Sequence, residues 1–368
     1  MRRAIRRPRY HFTVSAVAAA ACAVVAESGT QPKHPTGAWL QDFRRVHPSA
    51  VALAKADSWL NIPLMPAASL RALLNQAIDY AGMFPPCDLP LEPALRNGAS
   101  YVRSPEAWIL NGFVLPVGQF NAATKFVSQF DPSHLLRVAA LGPKTTDAAG
   151  FLDALENAGA AVRSYSRSDV NLMSVSHLEM FLPDDVDSAS FKTASAILGE
   201  LPVFWEAPPE RAEQTIALIA GHKFHEDTTT FGYKLRTGGV TADAFPTSAQ
   251  IALALVVAAT HQLPIKFTAG LHHPIRQFRD EVKTKMHGFL NVLGAAVLAA
   301  EHQWDADQAV TMLEDEDPHS FSFTDDFLAW RDWKIDTERL RYRRKFVKSF
   351  GSCSFDEPRD DLRALGFL

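Results

Sequence analysis

Cysteine is scarce in this chain. Its 368 residues hold three, Cys22, Cys87 and Cys353, far apart in sequence and without a CxxC pair. That spacing predicts neither a disulfide framework nor a cysteine-ligated zinc, and thiols without a pairing pattern favour a reducing compartment, so a cytoplasmic location is expected. Positive charge is not in excess either: 37 Lys and Arg stand against 41 Asp and Glu, for a net charge of -4. No general basic field is available for nucleic acid, and none is expected as a partner. No apolar run reaches the ~18 to 20 residues needed to cross a bilayer, which leaves no membrane role after residue 65. A GxGxxG after an early strand is missing, and HExxH and HxH are missing around the histidines at 272, 273 and 287. The dinucleotide fingerprint and the zinc-peptidase signature are thereby excluded.

What is present suits a soluble enzyme, with 47% hydrophobic residues, enough for one large core or two modest ones. The first 64 residues stand apart. Arg2, Arg3, Arg6, Arg7 and Arg9 precede an Ala/Val-rich stretch from Phe12 to Ala26, the order of a secretory signal. Glu27 to Asn61 lacks periodicity, and Met65-Pro-Ala-Ala-Ser69 leads into a helix start. Residues 1–64 are therefore read as a signal-like or mis-assigned N-terminal extension without a stable fold. Export is the alternative location if the signal-like segment is real.

From residue 70 one theme repeats: a short apolar segment, a polar or Gly/Pro break, then a helix. Strands are predicted to end near Asp79-Tyr80, at Gly112–Pro116, Leu136–Leu141, His177–Phe181, Pro202–Glu206, Phe231–Arg236 and Pro264–Thr268, with a last strand at Met286–Val292. Eight such units predict an α/β fold, a (β/α)8 TIM-like barrel over residues 65–318, with an open doubly wound sheet as the alternative. Residues 319–368, aromatic and then basic, read as a C-terminal extension packing on the barrel.

Parallel strands place their polar ends at one edge of the sheet. That edge would gather Asp79, Glu179, Glu206, Lys234, Arg236, Lys266, Thr268, His272, His273, His287 and Asn291. Charge inside apolar strands is costly unless paired or used, which marks Glu179 and Glu206 as proton-transfer groups and adds His287 to the catalytic set. Two adjacent lysines, each desolvated and facing a like charge, lose proton affinity, so one of Lys234 and Lys266 becomes a neutral amine able to form a Schiff base. Anion anchoring and a structural role are the other readings of the pair. Arg236-Thr237-Gly238-Gly239 is the best anion-binding turn, with glycines that admit a ligand to the backbone N–H groups and a guanidinium fork. Its place after strand six favours carboxylate over phosphate. Thr268, His272, Asn291 and Asp79 complete the expected substrate contacts. No cofactor is expected; the alternative is a divalent metal held by His272, His273, His287 and Glu206.

Two resemblances add to this. Lys234-Leu-Arg-Thr-Gly-Gly239 and Lys266-Phe-Thr-Ala-Gly-Leu271 resemble the sixth- and seventh-strand segments of class I aldolases of the deoxyribose-phosphate aldolase type, which carry Lys-x-Ser-Thr-Gly and Lys-Ala-x-Gly-Gly. The resemblance implies that Lys234 is the Schiff-base lysine and Lys266 its cationic neighbour. Arg236 stands where that family has serine, and His272-His273 near its second glycine, so the substrate is expected to differ. Residues 65–368, with phrases such as Asp79-Tyr-Ala-Gly-Met-Phe-Pro-Pro86 and Phe350-Gly-Ser-Cys-Ser-Phe-Asp-Glu-Pro358, resemble an uncharacterised bacterial protein family that names no activity. The expectation is a lyase, aldolase-like, acting on a small anionic carbonyl or hydroxy metabolite. A metal-dependent hydrolase or isomerase and a non-catalytic metabolite-binding barrel are the alternatives. Sequence sets no oligomeric state.

Overall fold

Eight parallel strands close into a barrel in the computed structural model, in the order β1, β13, β7, β6, β5, β4, β3, β2. The structure describes residues 65–166, 172–198, 201–222 and 231–368. Readings of residues 1–64, Cys22 among them, lie outside the described residues. Met65–Leu368 forms one unit, an α/β barrel of the (β/α)8 kind.

The first seven barrel strands are β1 (Ile78–Tyr80), β2 (Leu110–Pro116), β3 (Leu136–Leu141), β4 (Met173–Phe181), β5 (Val203–Glu206), β6 (Phe231–Arg236) and β7 (Ile265–Thr268). Helices such as Leu91–Tyr101, Ala148–Ser166, Ser188–Leu198, Ala212–His222 and Ser248–Thr260 return the chain between them. Each strand alternates between an apolar outer face, packed under the helices, and an inner face that carries polar and charged side chains. Outward residues such as Leu178, Met180, Trp205, Tyr233, Leu235, Ile265 and Phe267 are buried under the helices. Trp205, for one, packs against Phe151 and Phe191. Their neighbours in sequence face the barrel interior, because strand side chains alternate with period two. Every predicted charge on β4 to β7 falls on that inner set.

The eighth strand is not where the sequence put it. Thr284–Met286 (β9) forms a small antiparallel hairpin with Gln277–Arg279 (β8), and Phe289–His302 is a helix buried along most of its length. The residues expected to form a C-terminal extension packing on the barrel supply its eighth strand instead. After a three-stranded antiparallel sheet of Phe321–Phe323 (β10), Phe327–Trp330 (β11) and Trp333–Asp336 (β12), the strand Val347–Ser352 (β13) inserts between β1 and β7. The 286–292 segment misled because its apolar residues are a buried helix, and a short apolar run does not separate the two by periodicity. The helix Asp356–Ala364 then covers the region near the β1 and β2 helix connections, with Asp356 accepting from Tyr101 at 2.7 Å and Arg359 pairing with Glu106 at 3.1 Å.

Ala242–Thr260 is long and apolar enough by length and composition to cross a bilayer, with mean hydropathy 1.4, contrary to the reading that no such run exists. It contains the crossover between β6 and β7, and Ile251, Ala252, Ala254, Leu255 and Ala258 on it are fully buried.

Candidate active site

The inner faces of β4, β5, β6, β7 and β1 carry one continuous chain of charge. Strand register builds it: Glu206 of β5 is level with Lys234 of β6, and Lys234 is level with Lys266 of β7. Lys234 Nζ donates to Glu179 Oε2 and to Glu206 Oε2, both at 2.7 Å. Glu179 reaches across the barrel and accepts from Lys266 with its other oxygen, Oε1. Lys266 Nζ also donates to Asp79 Oδ2 at 2.8 Å and meets His177 Nε2 at 2.9 Å. Asp79 accepts further from Asn111 Nδ2 at 2.6 Å and from the Ser349 hydroxyl. Asp79, Glu179, Lys234 and Lys266 are all buried, Asp79 completely.

Hydrogen-bond geometry fixes the state of His177. The Ser176 hydroxyl donates to Val138 O at 3.0 Å, leaving its oxygen to accept from His177 Nδ1, also at 3.0 Å. Nδ1 therefore carries the proton, and Nε2, which also lies 3.1 Å from Glu179 Oε1, accepts from the Lys266 ammonium that both groups share. Burial and then the Lys266 charge depress the His177 pKa, consistent with a neutral ring. The three ammonium protons of Lys266 are thus fully engaged, by Asp79, His177 and Glu179.

The carboxylates reverse the electrostatics expected of two neighbouring lysines. Burial alone would depress the Lys234 pKa, but Glu179 and Glu206 outweigh it and hold the ammonium above its ordinary value. Burial would raise Glu179, yet Lys234 and Lys266 together hold it well below the usual carboxylate range. Asp79 follows the same pattern, raised by burial and brought below its usual value by the Lys266 ammonium. A carboxylate, that of Glu179, stands between the two lysines.

One end of this chain opens. Glu179, Glu206, Lys234, Arg236, Gly239, Thr268 and His272 line a cavity of about 380 Å³ at the carboxyl-terminal mouth of the barrel. Its wall includes Phe84-Pro85-Pro86 from the loop after β1, Lys144 after β3, and Phe181 at the end of β4. Lys144 lies over the Phe181 ring, 4.3 Å from its centroid. Arg236 is exposed and, among the described residues, has no ion-pair partner. Gly238 is required by contact: a Cβ there would sit 2.8 Å from Gly270 Cα and 2.5 Å from the Phe245 ring. Thr237 is buried and donates to Ala269 O at 2.6 Å, tying the β6 turn to the β7 turn rather than facing a ligand.

Other predicted residues lie elsewhere. Asp79 sits beneath the cavity floor as a partner of Lys266, not a substrate contact. Asn291 is on the helix Phe289–His302, where it bonds Met312 O, Asp315 O and the Arg276 N–H. His287 donates from Nε2 to Pro246 O at 2.8 Å and accepts at Nδ1 from Arg276. Neither lines the cavity, because the segment carrying them is not a barrel strand. His272 and His273 bond Glu357 at 3.0 Å and Asp361 at 2.6 Å, fastening the last helix to the β7 loop. These histidines and Glu206 do not assemble into the expected metal site. Among the described residues the three-donor cluster is Asp79, His177 and Glu179, and the Lys266 ammonium fills its centre.

His177, Asn111, Ser349 and Lys144 were missed by sequence reasoning. For His177 a signal existed: it lies two residues before Glu179 on one strand, hence on the same face. Cys353 lines the mouth, and its Sγ is 2.9 Å from that of Cys87 although 266 positions separate them. No protein-family model, curated protein or solved structure matches this chain.

Proposed function

We propose that this protein is a lysine-dependent lyase of the aldolase kind, acting on a small anionic carbonyl or hydroxy compound at the carboxyl-terminal mouth. One observation carries the reading. Lys266 has all three N–H groups engaged below the cavity, whereas Lys234 has two carboxylate partners, both at 2.7 Å, and borders the cavity itself. Lys234 is therefore the nucleophile, and Lys266 positions Glu179.

Lys234 rests as an ammonium, so a proton must leave before it attacks. Glu179, held ionised by two lysines, is the poor acceptor of the pair; Glu206, at the rim, takes the proton. The neutral Nζ then bonds to the substrate carbonyl carbon, and a proton passes from nitrogen to oxygen to give a carbinolamine. Glu206 returns its proton to that hydroxyl, which leaves as water, and an iminium forms. Where the substrate carries a hydroxyl on the β carbon, Glu206 removes that proton. The bond between the α and β carbons breaks, its electron pair moves to the iminium nitrogen, and an aldehyde departs. Glu206 protonates the resulting enamine carbon, and water hydrolyses the iminium to restore the Lys234 ammonium. Arg236, without a carboxylate of its own, holds the substrate anion.

The test is reduction with borohydride in the presence of pyruvate or acetaldehyde as carbonyl probes. One adduct per chain is expected on Lys234, absent in Lys234→Arg, since Arg keeps a charge but supplies no neutral amine. Glu206→Gln should slow adduct formation by about 10²- to 10⁴-fold without altering the fold. An adduct on Lys266, or labelling spread over surface lysines and unchanged in Lys234→Arg, would overturn the assignment.

A further inference from the structure

The opposite mouth of the barrel holds a second and larger cavity, of about 720 Å³, at the amino-terminal ends of the strands. Five cationic residues line it: Arg71, Arg341, Arg344, Lys345 and Lys348, and no Asp or Glu is part of its wall. The chain as a whole is acidic, so this clustering runs against its composition. Among the described residues none of the five forms an ion pair. Arg71 lies over the Trp108 ring at 4.6 Å. Arg344 is committed to backbone, donating to the carbonyls of Leu73, Val347, Lys348 and Asn75. Its positive charge thus has no acidic partner among the described residues while its position is fixed. Burial, then Arg344 and Lys345, depress the Lys348 pKa, as crowded cations without a counter-charge should.

Such crowding costs free energy unless an anion relieves it, and the wall is concave and rigid at its floor. That floor is made by Asn111, Ser176, His177 and Ser349, which are themselves hydrogen-bonded into the interior network. We propose that the amino-terminal mouth is a binding site for a small multivalent oxyanion, carrying two or more negative charges on phosphoryl or carboxylate groups. Arg341, Lys345 and Lys348 supply the mobile donors, and Arg344 supplies a fixed field. The site is separate from the Lys234 cavity and does not depend on the lyase reading.

Calorimetric titration of the full chain at low ionic strength tests it, with pyrophosphate and citrate as probes. One site per chain is expected, weakening as salt is raised. Lys348→Gln and Arg341→Gln should each lower affinity about tenfold, the effect of losing one charge-assisted bond. Arg236→Gln, at the other mouth, should leave it unchanged. Tighter pyrophosphate binding identifies a phosphoryl ligand and tighter citrate binding a carboxylate one; either supports the site. The Arg344 carbonyl bonds hold the fold, so that residue is left intact. Absence of binding by both probes, or binding insensitive to the Lys348→Gln, Arg341→Gln double variant, would overturn the proposal.

Discussion

Lys234 and Lys266 are in register on adjacent parallel strands, yet their charges meet through Glu179, which gives one carboxylate oxygen to each ammonium. The arrangement divides two residues of one type into two roles. Lys266 is enclosed by acceptors on every side, and Lys234 keeps one side toward the cavity.

Removing the two lysines should therefore have unequal consequences for stability. Lys266→Met leaves Asp79 and Glu179 buried with a lost partner and should cost about 3–5 kcal/mol. Lys234→Met leaves Glu179 paired with Lys266 and Glu206 at the rim, and should cost about 1.5–3 kcal/mol. Urea unfolding monitored by tryptophan fluorescence measures both. Equal losses would show that the interior network does not distinguish them.

His287 sets a pH window. Burial, with Arg276 adding to it, lowers its pKa from 6.5 to about 4. A group whose neutral form is favoured by folding contributes stability above its unfolded value, and loses it as pH falls toward the folded one. Stability should thus decline from pH 6.5 to 4, by roughly 3 kcal/mol in all, since each unit corresponds to about 1.4 kcal/mol. The depressed Asp79 and Glu179 add their loss only below about pH 4, through and beneath their ordinary values. His287→Gln should flatten the upper part of that curve in thermal melts at pH 4 to 7.

The two mouth cysteines should differ in reactivity. Burial, and then the thiol–thiol contact with Cys87, push the Cys353 thiol up to about 12, while Cys87 is exposed. At pH 8 Cys353 carries almost no thiolate, the reactive form. Iodoacetamide followed by peptide mapping should find Cys353 modified far later than Cys87 in the native protein, and at the same time once urea unfolds it. Early labelling of Cys353 in the native state would contradict this environment.

Much of the barrel was legible in the sequence. Phe231–Arg236 and Ile265–Thr268 announced themselves by alternation followed by a glycine break, and the helix between them made the strands parallel. The inward placement of Glu179, Glu206, Lys234 and Lys266 followed from the same alternation. The protonation state of Lys234 did not, because it depends on Glu179 reaching across the barrel, and no local pattern encodes a cross-barrel pair. The eighth strand was hidden for a related reason. Val347–Ser352 lacks charge on its inner side, where Ser349 and Gly351 stand, and its partners β1 and β7 are remote in sequence. Apolar Phe289–His302 offered a stronger but misleading signal.

Closure by β13 has a consequence for the order in which this protein is made. Asp79 and Ser349 are bonded although 270 positions separate them, so the first barrel strand emerges from the ribosome long before its last neighbour exists. Until residues 347–352 arrive, β1 and β7 present open edges, and Asp79 and Lys266 remain accessible to water. Hydrated charge on an unfinished barrel wall discourages the sticky, premature pairing that an all-apolar interior would invite. The ion chain can be fully dried only once β13 has docked, so the energetic cost of burying it falls on the final step of assembly.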